Sequence, residues 1–390
     1  MNSTVSCAWK NPGLPARYLA AASLHSHTQH SKESLGFILK FTEGRPILRW
    51  ALDRKCKRAA FPVDLAHAYW TPPVSPSLAF AIETRQIEHD LGLKSIVSIT
   101  DHDTIEAPAT LRALPETAHV PVSLEWTVPF EGAAFHLGIH NLPENRAQAI
   151  VADLASYTRN PSAPLLRELL SMLDGIPDVL VVFNHPLWDL EGLGEEKFQS
   201  AFRPFLEQHI GFIHALELNA TRDCKENRAV MLVADQCHRP VISGGDRHGC
   251  RPSAALNLTR VDSFPAFVNE IRVEKRSHVL FMPSYAEPRR LRITEMLLDV
   301  LREYPDFPAG TQRWDDRVYH LDRSKTVHRP ISKLWKAPPV FLERIFSTIR
   351  LLENSALRLT LSRAFNAKAE IHVATNVSSV ATDVSSEVVS

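Results

Sequence analysis

Six short segments bring histidine, aspartate or glutamate to positions where they could act together: His25-Ser-His27, Asp101-His102-Asp103, Glu125, His136, Asn184-His185 and Asp246-Arg-His248. Imidazole nitrogen and carboxylate oxygen are the usual ligands of borderline first-row metals. A His-x-His pair on a strand directs both rings to one side, because strand side chains alternate with period two. Asp246 and His248 repeat that spacing. Taken singly, each residue is ordinary, since a lone histidine at a strand end is usually a surface or satisfied core residue. Of the 18 histidines, His67, His89, His119, His209, His238 and His278 take that plain reading, and His140 is a weaker ligand candidate. Together the six segments carry more, because the apolar runs leading into them would otherwise bury uncompensated polar groups.

The elements that must position these residues are short β-branched runs alternating with helical stretches. Strands are expected over 18–25, 95–102, 120–126, 133–140, 179–185, 214–220 and 240–246, and helices over 77–92, 146–157, 163–174, 225–237 and 264–273. Near-continuous apolar runs suit strands buried on both faces, as in a parallel sheet. Alternation with helices argues for βαβ units and an α/β class. Seven strands in one run favour a closed or nearly closed barrel, in which working residues gather at the carboxyl ends of the strands.

Two regions break the rhythm. Residues 31–76 are too long for a simple connection and read as an insertion after strand one. Residues 284–370 read as a helical C-terminal extension, with amphipathic helices over 291–304 and 340–366. Its stretch 284–368 carries 16 Lys+Arg against 10 Asp+Glu, a net of +6. Residues 371–390 read as a disordered tail.

Composition narrows the class. The 390-residue chain has 44 basic and 44 acidic residues and is 44% hydrophobic, enough for a sizeable core. Zero net charge gives no support to nucleic-acid binding by the whole chain, though it leaves a local basic patch open. No run approaches the roughly 18 apolar residues of a membrane span, and no secretory signal is visible. Five cysteines without a CxxC pair suit a reducing, cytoplasmic setting and offer no cysteine zinc site.

In order along the chain, LHSHT (24–28), SITDHDT (98–104), FNHP (183–186) and SGGDRHG (243–249) resemble the four motifs of the PHP family, named for polymerase and histidinol phosphatase. Glu125 and FHLGIH (135–140) are similar to the family's strand-three glutamate and following histidine. The resemblance covers about 18–283. It implies a distorted (β/α)7 barrel, two or three divalent metals (manganese, zinc or iron), and hydrolysis of a phosphate ester. It also implies a ligand set. His25, His27, Glu125 and Asp246 would hold one metal, and Glu125, His136 and His185 a second, with Glu125 bridging. His102 and His248 would serve a third, together with a ligand five residues after the HxH. That position is Lys32, whose ammonium cannot ligate. His30, Asp64 or His67 are the substitutes to consider.

Two cations roughly 3.5–4 Å apart would lower the pKa of a bridging water and clamp phosphoryl oxygens. Besides Glu125, the candidate catalytic groups are Asp103, as a proton relay, and Arg247, as a phosphate binder. Asp101 is a candidate for orienting the ligands, and Arg222 for binding phosphate. Asn184 and Asn219 could donate to substrate or close their loops. The partner expected is a small phosphorylated molecule. Two alternatives stand beside this reading: an amidohydrolase reaction on the same metals, and a degenerate barrel acting as a binding or regulatory module.

Overall fold

A computed structural model describes residues 2–35, 54, 68–304, 312–322 and 327–334. Most of the 31–76 insertion, the helix expected over 340–366, the tail 371–390, and the candidates Asp64 and His67 lie outside the described residues. The strands are β1 (Asn2–Cys7), β2 (Ala20–Ser23), β3 (Glu33–Ser34), β4 (Ala68–Trp70), β5 (Lys94–Val97), β6 (Leu124–Phe130) and β7 (Ala133–His140). They continue as β8 (Leu180–Asn184), β9 (Ala215–Asn219), β10 (Val241–Gly244), β11 (Ala255–Thr259), β12 (Arg276–Phe281), β13 (Val318–Leu321) and β14 (His328–Pro330). The α-helices are α1 (Pro76–Arg85), α2 (Glu106–Arg112), α3 (Glu144–Arg159), α4 (Ala163–Asp174), α5 (Glu195–His209), α6 (Cys224–Gln236), α7 (Phe264–Arg272) and α8 (Arg289–Leu301).

The result is a mixed α/β architecture with three sheets: β1-β12-β11-β2-β5, β10-β9-β8-β7-β6, and β14-β13-β4-β3. The ladders form two open five-stranded sheets rather than one closed ring. Two single parallel bridges, Ser26↔Arg247 and His102↔Glu125, join those sheets just past the ends of β2, β5 and β10 and at the start of β6. Both bridges fall on the chemistry-bearing segments, so the seams between the sheets are where the ligand candidates meet. Between the sheets, Ala20 and Ala22 of β2, Leu180 and Val182 of β8, Ala215 and Ile242 share one core with Phe264 and Phe267 of α7. On the outer face of the second sheet, α3 to α5 bury Trp126, Phe135, Phe183, Phe202 and Phe205.

The expectation of a parallel run fails at β7, which is antiparallel to both β6 and β8. Glu131 and Gly132 connect β6 to β7 with φ of 48° and 82°. Two successive positive φ values are the signature of a two-residue hairpin turn, and a crossover needs a dozen or more residues. His136 therefore sits mid-strand rather than at a carboxyl end, opposite Thr127 and Asn184. Strand β1, the pair β11 and β12, and the third sheet were not anticipated; neither were α2 and α5.

Candidate metal centre

The histidine pair after β2 is fixed by backbone contacts with its neighbours. His27 N donates to the Arg247 carbonyl at 2.9 Å, Asp246 N to His25 O at 2.7 Å, and Thr100 N to Ser26 O at 2.9 Å. Across the other seam Glu125 N donates to Asp101 O at 3.1 Å and Asp103 N to Glu125 O at 2.8 Å. His25, Asp103, His185 and Asp246 all adopt positive φ. Non-glycine residues in that region cost about 1–3 kcal/mol each and cluster where function constrains the backbone.

Glu125 is the hub. Its Oε2 lies 3.1 Å from His25 Nε2, 3.3 Å from His27 Nε2 and 3.2 Å from His102 Nδ1. Its Oε1 lies 3.1 Å from both His136 Nδ1 and His185 Nε2, and accepts from Asn184 Nδ2 at 3.0 Å. Yet His25 Nε2, His27 Nε2, His102 Nδ1, His136 Nδ1 and Glu125 Oε2 are buried without a hydrogen-bond partner. Buried polar atoms are ordinarily satisfied. Atoms sharing one ion at about 2.0–2.2 Å stand roughly 3–3.5 Å apart, which is the separation seen. Three groups have ligand atoms close enough to share an ion: His25/His27/Glu125, His102/Glu125/His136, and His27/Glu33/His102/His248. The residues thus fit divalent metal ions in type, spacing and orphaned atoms.

The last group changes the account of Lys32. Side chains alternate, and Glu33, one residue further on, points inward: its Oε2 lies 3.3 Å from both His102 Nε2 and His248 Nε2. Ser31 Oγ donates to its Oε1 at 2.6 Å. Lys32 lies outside the cluster, its Nζ 5.7 Å above the Tyr69 ring. His30 does not take the place either, since it pairs with Glu106 at 2.8 Å on the surface. His140 is also apart: it sits deeper on β7, with its Nδ1 against Ser98 Oγ at 2.8 Å.

The carboxylates are held in the ionised form that ligation requires, whereas the imidazoles whose pKa is raised give up a proton when they ligate. Burial opposes ionisation of Glu125, but His25, His136 and His102 hold it well below the usual carboxylate range. Burial likewise opposes ionisation of Glu33, outweighed by His102 and His248, and of Asp246, outweighed by His25, His248, His185 and His27. Burial keeps His27 well below the ordinary imidazole value and lowers His185. Burial also disfavours the charged form of His102, but Glu33 and Glu125 raise it to about 10. Ionised carboxylates packed among imidazoles form a site that attracts positive charge.

Asp246 joins from β10, with Oδ1 at 3.8, 3.7 and 3.6 Å from His25 Nε2, His27 Nε2 and His248 Nδ1. Asn219 Nδ2 and Thr221 Oγ1 hold its other oxygen at 3.2 and 3.1 Å. Asn184 and Asn219 are thus committed to carboxylates of the cluster. Asp101 accepts from Thr28 N and Oγ1 at 2.5 and 2.7 Å, tying the first histidine loop to the second; burial pushes it up to about 6. Asp103 accepts from Thr127 N at 2.8 Å, a backbone tie rather than a contact with a ligand. Arg247 also differs from expectation. It is buried, with Nε donating to Glu83 Oε1 and Nη1 to Gly249 O, both at 2.7 Å, so it anchors α1 instead of presenting its whole fork at the mouth. Arg222 does stand near a ligand: its guanidinium lies 3.6 Å over Trp188, whose ring is 4.9 Å from that of His185.

Two residues escaped the sequence reading, Glu33 and Glu217. Glu217 Oε1 meets His25 Nδ1 at 2.5 Å, and its Oε2 accepts from His185 N at 2.7 Å. A carboxylate inside the apolar run ALELN was the available signal, because a buried charge demands partners. Beside the cluster lies a cavity of about 400 Å³, walled by Thr221, Asp246, His248 and Arg251 on one side and by Arg292 and Met296 of α8 on the other.

No protein-family model matches the chain, and no curated protein matches it. Among solved structures, it is similar to a Bifidobacterium adolescentis protein provisionally classed as a metal-dependent phosphoesterase, at 14% identity and TM-score 0.29, covering 46% of this chain and 84% of that one. PsfC from Pseudomonas syringae is matched at 15% identity and TM-score 0.35, over 52% of this chain and 81% of that one. An amidohydrolase from Chromobacterium violaceum, with bound sulfate and no metal, is matched at 12% identity and TM-score 0.34, over 58% and 92%. No described helix is long and apolar enough to cross a membrane.

Proposed function

We propose that the chain is a metal-dependent hydrolase of the PHP type that cleaves a phosphate ester. The observation that carries this reading is one buried carboxylate, Glu125, held 3.1–3.3 Å from five histidine nitrogens. The succession β2, β5, β6, β7, β8, β9, β10, with bridges at both seams, supports a distorted seven-strand barrel as the underlying plan. The complete ligand set argues against a decayed module.

By ligand type, His25, His27, Glu125 and Asp246 would hold one ion, Glu125, His136 and His185 a second, and His27, Glu33, His102 and His248 a third, with manganese, zinc or iron suited to them. Such ions supply Lewis acidity and lower the pKa of water between them. The protein's own share is orientation and charge. Glu217 fixes the His25 ring and the His185 backbone, Asn184 holds the bridging carboxylate, and Asn219 and Thr221 hold Asp246. Arg222, kept planar on Trp188, is suited to bind phosphoryl oxygens. The organic part of a small phosphomonoester or short nucleotide would fit the 400 Å³ cavity, within the usual range for ligand sites. Free thiols at Cys7, Cys224, Cys237 and Cys250 are consistent with a cytoplasmic protein.

The test is phosphate release from a panel of phosphomonoesters by the manganese-loaded protein and by His185→Ala. Turnover abolished in the variant supports the reading. An unchanged rate would sink it, and hydrolysis of amides without phosphate release would move the chemistry to the amidohydrolase class.

A further inference from the structure

Glu33 does not stand on either five-stranded sheet. It lies on β3, a two-residue strand whose ladder partner among the described residues is β4, with Glu33 opposite Trp70 and Ser34 opposite Tyr69. A two-stranded pair is at best marginally stable alone. The other edge of β4 is taken by β13, from the C-terminal extension, with Tyr319 opposite Tyr69 and Val318 opposite Trp70. Side-chain contacts follow the same path. Lys32 covers the Tyr69 ring, and Tyr69 stacks on Tyr319 with centroids 5.0 Å apart and planes 9° from parallel. Trp70, on the same strand, has its ring 5.8 Å from that of His248, a second member of the Glu33 group. The far side is anchored in turn. Thr71 N donates to Arg317 O at 2.9 Å, and the Arg317 guanidinium donates to Val300 O at 2.6 Å and Arg302 O at 2.8 Å around the end of α8. Trp314 and Ile331 form a small core with Leu301 and Val318 beneath it.

We propose that residues 312–322, which carry β13, are a positioning element for the metal centre. Through the Tyr319–Tyr69–Lys32 stack they hold Glu33 against His102 and His248, so the ion in the Glu33 group is retained only while β13 is paired with β4. This rests on the metal-hydrolase reading. It also gives Lys32 a purpose: the residue that cannot ligate locks the ledge on which the next residue can. Tyr319, far from the ligands in sequence, is then a positioning residue for Glu33.

The experiment is a metal titration of the full chain, in which manganese bound per chain and the affinity of the weakest-held ion are measured for wild type, Glu33→Gln, Tyr319→Ala and Tyr319→Phe. Partners that orient ligands typically cost 10–100-fold in metal affinity when removed. Tyr319→Ala is expected to weaken the last ion by about tenfold or more, as Glu33→Gln does, while Tyr319→Phe, which keeps the stacked ring, stays within about twofold of wild type. Should Tyr319→Ala lose its far-UV circular dichroism, Lys32→Ala, cutting the same stack from the other side, takes its place, with about threefold or more weakening expected. Wild-type affinity in the stack variant while Glu33→Gln has lost its ion overturns the positioning role. Full metal content even in Glu33→Gln overturns the metal assignment itself, a separate failure.

Discussion

Glu217 Oε1 lies 2.5 Å from Nδ1 of His25, on the opposite side of the imidazole from Nε2, which faces Glu125 at 3.1 Å. A carboxylate behind a ligating histidine fixes its tautomer and raises its basicity. Burial disfavours the charged ring, but Glu125 and Glu217 together raise the His25 pKa well above the ordinary value. Replacing Glu217 by Gln keeps the shape and removes the charge, and should weaken metal binding roughly tenfold. Competition with a fluorescent chelator measures it; wild-type affinity would show that the contact is only packing.

Gly244 lies beneath that carboxylate. A Cβ built there would stand 1.4 Å from Glu217 Oε1, inside any permitted contact. Gly244→Ala must displace Glu217 or bend β10, so both stability and metal affinity should fall, the former by about 1–3 kcal/mol. Urea unfolding and the same chelator competition check the two effects. A variant as stable and as well metallated as wild type would contradict the packing described.

Arg247 and Arg222 make opposite predictions. Arg247→Ala leaves the buried Glu83 carboxylate with the neutral donors Ser23 and Ser253 but without its charge partner, and breaking a buried pair from one side costs about 3–5 kcal/mol. Arg222→Ala removes a buried side chain that rests on Trp188 and lies 3.6 Å from Glu226, so it should cost less stability than Arg247→Ala and raise KM for a phosphate ester. Denaturation midpoints with steady-state kinetics separate the roles, and the reverse pattern would exchange the assignments.

Acid should loosen the fold away from the metal centre. His214 Nδ1 accepts from Val181 N at 2.8 Å and Nε2 faces Asp174 Oδ1 at 2.9 Å, at the end of the second sheet remote from the ligands. Burial first, then Arg272, lowers it to about 4, despite the Asp174 contact. The unfolded chain therefore binds the proton first as pH falls: this stability is present above about 6.5 and is lost progressively toward 4. His278 at about 4 and His140 at about 3 act in the same direction, while Asp101, raised to about 6, opposes them. His214→Asn should be less stable at neutral pH, yet its stability should fall by up to about 1.4 kcal/mol per pH unit less than wild type between pH 6 and 4.5. Equal slopes would show that His214 is protonated in the folded state.

Much of this was legible in the sequence because strand periodicity and ligand spacing are local properties. His25 and His27 do reach one cluster, although they lie beyond β2 with His25 at positive φ, so backbone contacts rather than strand alternation aim them. The seven strand runs recur within a few residues of their expected bounds. The antiparallel β7 was readable in principle from Glu131-Gly132, where only a tight turn fits. Glu33 was hidden by counting: alternation past His27 decides which of two adjacent residues faces inward, and a loop between them shifts the count by one. Arg247 was misplaced because its neighbours in sequence say nothing about Glu83, 164 positions away, which captures its guanidinium. The third sheet depends on β3, β4 and β13 meeting from distant parts of the chain, a pairing that no local pattern encodes.

The central claim is that Glu125 bridges bound metals. Elemental analysis of the purified, tag-free chain, counting manganese, iron and zinc for wild type and Glu125→Gln, tests it most directly. The account predicts two or three ions per wild-type chain and at most one in the variant. A wild-type chain that holds no metal after incubation with manganese, or a Glu125→Gln chain that holds as many ions as wild type, would contradict it.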